Sequence, residues 1–190
     1  EMQYLGLDRA IFAEESCMNA PTRLGRLPSN ATYATALAAW IFDRHSSNKD
    51  IHEIASQWHS QLLLSNKIHD ALHEILELHH QLYTWDTLGT AKQKRTAASK
   101  QCSNALSIIQ CEDRPTFVHI RRIISLLERE GISPDPFING NDLLEAGVPP
   151  TSTLGTVLEA VYDAQLEGSL RTKEEAIELA LAIYRDFQGS

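Results

Sequence analysis

The side chains in this sequence most able to do chemistry are its eight histidines. His69, His73 and His80 stand at i, i+4 and i+11, which puts them on one helix face with Leu76 between them. An i, i+4 histidine pair can hold zinc. No Asp or Cys stands at a spacing that completes such a site, so the expected role is a partly exposed helix face beside a core stripe. Cys17, Cys102 and Cys111 include no CxxC pair, and their odd number argues against a disulfide framework and a zinc knuckle. Small buried thiols in a reduced, cytoplasmic setting fit them better. No GxxxxGK[ST] phosphate loop is present. Scattered Ser, His and Asp residues define no triad, because geometry and not spacing makes one. No catalytic residue and no metal ligand is therefore expected in this chain.

Cationic side chains are the second candidate. The net charge of −8 argues against a nucleic-acid partner, but the acids are unevenly placed. From Gly131 onward three basic residues (Arg171, Lys173, Arg185) face ten acidic ones. Thr87 to Cys111 holds Lys92, Lys94, Arg95 and Lys100 and no acid at all. On a helix, Lys92, Arg95 and Ser99 share one face, with Lys94 and Lys100 flanking it. That face suits a phosphate backbone, with affinity arising from counterion release. A solvated surface helix is the plainer use of the same residues.

The elements that would position these groups read as helices. Asn30 to Arg44 is Ala-rich, and Asp50 to Leu64 places Ile51, Ile54, Trp58 and Leu62 at helical steps. Ser65 is expected to cap a helix with the stripe Ile68, Leu72, Ile75, Leu82. Thr90 to Gln110 reads as one continuous helix. Asp113-Arg114-Pro115 reads as a helix start, and Gly131 as a C′ glycine. Pro134 and Pro136 break the pattern between Gly131 and Gly140. A short helix follows at Asp142 to Ala146, ended by Gly147 at a C′ position that demands positive φ more than Gly168 does. Another runs from about Ser152 to Leu166, and Thr172-x-x-Glu175 opens the last as a capping box, with the stripe Ile177, Ala180, Leu181, Tyr184. No period-2 alternation persists.

The fold expected is all-α, a multi-helix body over 1–130 with a small helical tail over 131–190. No apolar run approaches the roughly 20 residues that cross a bilayer, so no membrane role is expected. The start, Glu1-Met2-Gln3, has no signal-peptide pattern and no initiator Met at position 1, which suggests a piece of a longer protein.

Three stretches carry a family likeness. Ile138-Asn-Gly-Asn-Asp-Leu-Leu-Glu-Ala-Gly-Val-Pro-Pro-Thr-Ser-Thr-Leu-Gly-Thr-Val-Leu158 resembles the C-terminal pattern of class II CCA-adding enzymes and bacterial poly(A) polymerases, with Gly140, Asp142, Leu143, Gly147, Pro150 and Gly155 in the matching places. Ala164 to Gly168 and Thr172 to Ala176 resemble that family's closing segment. Leu62-Leu-Leu-Ser-Asn-Lys67 is similar to the opening of a body helix, and Ala36 to Ala39 before Asp43 more weakly to an apolar helix. The likeness covers about Ala34 to Phe187 and is poor between Thr84 and Thr116. It departs at Thr151, where the family often has Gly. The Ile41-Phe42-Asp43-Arg44-His45 stretch is also similar to the His-Asp segment of HD-type phosphohydrolases, but Phe42 stands where the metal-binding His would be.

The resemblance implies a tRNA nucleotidyltransferase or polynucleotide adenylyltransferase whose catalytic head, with its Gly-Ser motif and Asp-x-Asp metal pair, precedes this region. Mg²⁺ and ATP or CTP belong to that head, and this region alone is expected to be inactive. What remains corresponds to the parts that hold tRNA, or another RNA 3′ end, during tRNA processing. The residues expected to bind RNA are Lys92, Lys94, Arg95 and Lys100, together with Gly140-Asn141 and Thr151-Ser152 at two helix starts. Tight turns and helix stops are the plainer reading of those last four. Other readings remain open: a free-standing helical protein-interaction module, for which the acidic tail speaks, and a decayed HD-type phosphohydrolase.

Overall fold

The computed structural model describes residues 7–12, 20–45, 50–151 and 153–188. Among them are eleven α-helices and no strand, so the chain is all-α. They are α1 (Leu7–Phe12), α2 (Thr22–Arg26), α3 (Tyr33–Arg44), α4 (Ile51–Gln61), α5 (Asn66–Tyr83), α6 (Thr90–Ala98), α7 (Cys102–Glu112), α8 (Arg114–Glu130), α9 (Gly140–Glu145), α10 (Thr153–Leu166) and α11 (Lys173–Gln188). No helix among the described residues is long and apolar enough to cross a membrane.

Packing divides the chain into two compact units, Glu1–Asp86 with Ser99–Ile123, and Thr87–Ala98 with Ile124–Ser190. The expected division at 130/131 followed chain order. The second unit instead takes in α6 and the second half of α8.

In the first unit α5 is central, packing against α3, α4 and α7. Its stripe buries Leu72, Ile75, Leu76 and Leu82, whereas Ile68 is only partly buried. Leu37 and Ile41 of α3, Trp58 of α4 and Ile108 and Ile109 of α7 complete the core. Phe12 stacks on Trp58 at 4.1 Å between ring centroids, Trp40 meets Phe12 edge-on at 4.9 Å, and the Arg44 guanidinium lies 5.4 Å from the Phe12 ring. Side chains fix the helix starts. Thr32 accepts from Thr35 N, Asp50 from His52 N and Glu53 N, and Asp113 from Thr116 N. Ser65 holds the N-cap position with extended backbone, but its hydroxyl makes no capping bond.

Between α4 and α5 the chain turns through Leu63 at φ 50°, with its side chain 88% exposed. The expected single helix over Thr90 to Gln110 is broken in two. Ser99 interrupts it, because its hydroxyl accepts from Gln101 N at 3.1 Å and donates to Glu74 at 2.6 Å.

The second unit is built on Ile138, Leu143, Val148, Val157, Val161, Ala176 and Ala180, with Ile177, Leu181 and Tyr184 packed on that core. Asn139 caps α9 in a reciprocal box with Asp142. The segment from Gly131 to Asn139 is non-helical and is held by α10. Gln165 donates to Asp135 O and accepts from Phe137 N, and the Tyr162 hydroxyl donates to Pro134 O. Gly131 and Gly147 both have positive φ, 95° and 90°. Gly168 has φ 77° as well, which removes the expected contrast with Gly147. Thr172 accepts from Glu175 N at the start of α11, while the Glu175 carboxylate accepts from Arg171 N and so closes a shifted version of the expected box.

Candidate nucleic-acid interface

Glu112, at the C-terminal end of α7, organises the polar interior of the first unit. It accepts from Arg23 Nε, from His79 Nε2 at 2.7 Å and from the Tyr83 hydroxyl at 2.8 Å. Because the carboxylate only accepts, His79 Nε2 carries the proton. Burial pushes the Glu112 carboxyl up, but the bonds from His79, Arg23 and Tyr83 outweigh it and hold the group at about 2. Burial and the same carboxylate push the Tyr83 phenol well above its usual range. The adjacent Cys111 thiol is also raised, first by burial and then by Glu112, which disfavours its thiolate form.

Asp43 closes the other side of this network. Its carboxylate accepts from Arg23 N and Leu24 N, both at 3.0 Å, and so caps α2 from a distance of 20 and 19 residues in sequence. Arg23 also donates to Asp43 and to Phe42 O. Phe42 stacks on His79 with centroids 4.1 Å apart. The Phe-Asp pair therefore serves packing and helix capping.

Two clefts open beside these residues, both in the first unit. One, of about 460 Å³, is lined by Arg26, Pro28, Gln110, Cys111, Glu112 and Arg114. The second, of about 300 Å³, is lined by Ser103, Leu106, Ser107, Gln110, Phe117 and Arg121. Gln110 lines both, so the clefts adjoin. Arg26, Arg114 and Arg121 are exposed. Arg26 uses one N–H on Cys111 O at 3.1 Å and keeps four others. With Glu112 neutralised from inside, this mouth presents cationic groups.

The residues singled out in the sequence are placed differently. Lys94 Nζ donates to Leu166 O at 2.9 Å, and Arg95 Nε to Asp163 at 2.5 Å, with its guanidinium 5.3 Å from the Tyr162 ring. Both dock α6 on α10 inside the second unit, and Ser99 is turned to Glu74. Lys92 and Lys100 are exposed. At Gly140-Asn141, the first free N–H groups of α9 already donate to the Asn139 side chain. The Thr151 hydroxyl shares a hydrogen bond with Thr153, and Ser152 lies outside the described residues.

The histidine face is partly assembled. His69 and His73 rings lie 4.4 Å apart, and His52 of α4 brings Nδ1 to 3.1 Å from His73 Nδ1. His80 is exposed and stands apart, its carbonyl accepting from Thr84. Burial lowers the His73 imidazole, and neighbouring His69 and His52 lower it further. Among the described residues no three His, Cys, Asp or Glu side chains are placed to hold a metal ion.

No protein-family model, curated protein or solved structure matches this chain. The arginine-rimmed clefts leave no pattern in the sequence because Arg26 on α2 is far along the chain from Arg114 and Arg121 on α8. The one local signal was the i, i+7 spacing of Arg114 and Arg121 on a single helix face.

Proposed function

We propose that this chain is the RNA-holding C-terminal region of a nucleotidyltransferase that adds nucleotides, CCA or A, to RNA 3′ ends. One observation carries the RNA part of the reading: Arg26 and Arg114 rim a cleft that adjoins another rimmed by Arg121, and the one acid lining them is internally satisfied. Such a mouth takes backbone phosphates without reading sequence. The tail pattern from Ile138 to Leu158 supports the nucleotidyltransferase part. The acidity belongs to the second unit and the basic mouth to the first, so binding depends on local and not net charge.

The test is the binding of a tRNA transcript across a salt series. Wild-type protein is expected to bind at about 50 mM salt with a steep negative salt dependence. Arg26→Glu with Arg114→Glu is expected to weaken binding at least roughly tenfold and flatten the slope by about two phosphate contacts. Unchanged affinity and slope in the folded double variant would remove this surface from the reading. A second reading, a protein-interaction module, is favoured by Leu144 and Phe187, 44% and 49% exposed in an acidic unit. It predicts no tRNA binding at any salt.

A further inference from the structure

We infer that the smaller cleft, on the α7–α8 face, receives one unpaired RNA base whose neighbouring phosphate is held by the arginine cleft beside it. The inference rests on the RNA-binding reading above and names the kind of RNA. A cleft used for phosphate alone needs donors and cations. This one has more.

Its wall is apolar, formed by Leu106, 2% exposed, and the half-buried ring of Phe117. Its rim is polar, with the Gln110 amide, the Ser103 and Ser107 hydroxyls and the Arg121 guanidinium. Ser107 donates to Asn104 O at 2.7 Å and keeps lone pairs to accept from a ligand. An aromatic ring lining a cleft together with amide, hydroxyl and guanidinium groups matches a heterocycle with donors and acceptors along its edge. At about 300 Å³ the cleft is at the small end of ligand sites, too small for a folded peptide element. RNA bases are recognised in this way when unpaired, stacked on an aromatic ring and bonded along an exposed edge.

Paired bases cannot enter, because in an A-form helix their faces are stacked and their edges joined. The shared Gln110 sets the register. A base beneath its amide on one side leaves the sugar-phosphate leading toward Arg26 and Arg114 on the other. An interrupted or single-stranded element is therefore the expected partner, and a perfect duplex is not.

The experiment uses two labelled RNA hairpins that differ by one unpaired adenosine bulged from the stem, with the full chain and fluorescence anisotropy. At about 50 mM salt both are expected to bind, the bulged hairpin roughly fivefold or more tighter. Gln110→Ala and Phe117→Leu are each expected to bring the two hairpins within about twofold, and Phe117→Leu, whose side chain lines the smaller cleft alone, to leave the plain hairpin's affinity unchanged. Should Phe117→Leu lose its fold by circular dichroism, Gln110→Ala, on the exposed side of α7, decides alone. Equal binding of both hairpins by wild type, or a bulge preference that survives the substitutions, overturns the base pocket and leaves the RNA-binding reading intact. If wild type binds neither hairpin nor the tRNA transcript, the RNA-binding reading itself has failed.

Discussion

Glu112 joins Arg23, 89 residues before it, to His79 and Tyr83 through a single carboxylate. Removing it takes a carboxylate partner from a half-buried arginine and leaves His79 and Tyr83 without their acceptor, and Glu112→Ala is expected to destabilise by about 1–3 kcal/mol in chemical denaturation. Its carboxyl, at about 2, lies below the ordinary 4.5, so the stability it contributes is complete above pH 4.5 and drains as pH falls toward 2. His73 acts in a higher window. Its imidazole is lowered from 6.5, so the unfolded chain takes up the proton first and stability declines as pH drops below 6.5. Melting followed against pH should show both stages, with His73→Gln removing the His73 part of the upper and Glu112→Gln weakening the lower, to which the lowered carboxyls of Asp113, Asp142 and Glu174 also contribute. Nothing in the local sequence marks Glu112. Its partners are set by how α2, α5 and α7 pack, and such pairings leave no spacing to read.

Helix ends were far more legible. Asp113-Arg114-Pro115, Gly131 and Thr172 mark their helices by local chemistry alone, and the structure uses each as expected. The break at Ser99 was not legible, because neither Gly nor Pro stands there and the hydroxyl finds its acceptor, Glu74, on another helix. Leu63 is the opposite case, a left-handed position with no glycine to announce it. A side chain at φ 50° is strained and this one is almost wholly exposed, so Leu63→Gly is expected to stabilise by roughly 1 kcal/mol. At Gly147 and Gly168, a valine is expected to cost about 1–2 kcal/mol at either position. Thermal melts of the three variants check both statements; a neutral or destabilising Leu63→Gly would mean that its side chain contributes something the turn does not.

For the whole molecule, α6 matters most. Lys94 and Arg95 looked like a surface for phosphate, yet they reach Leu166 and Asp163, 72 and 68 residues later in the chain. A discontinuous unit cannot be seen in composition, because its parts are separated by the helices of another. A chain ended after Glu130 lacks α9, α10 and α11, so α6 loses its acceptors there. Hydrogen exchange over 90–98 is expected to become fast in that shortened chain while 66–83 stays protected. Protection retained in α6 would show that it holds without α10. Reversing Lys94 and Arg95 to Glu is accordingly a test of folding and not of RNA binding, and belongs with melting curves.

Asp43 also bears on which substitutions the chain can accept. Its carboxylate caps α2, and Phe42 covers His79, so the two residues that would have to be a metal pair are each held by a separate neighbour. A mutation placing histidine at position 42 would lose a ring stack and still find the neighbouring acid engaged by two backbone N–H groups. Building a metal pair there would need α2 to be released in the same step, a change with no useful halfway form. Selection acts one substitution at a time, so a helix start that depends on an acid holds that acid in its present role.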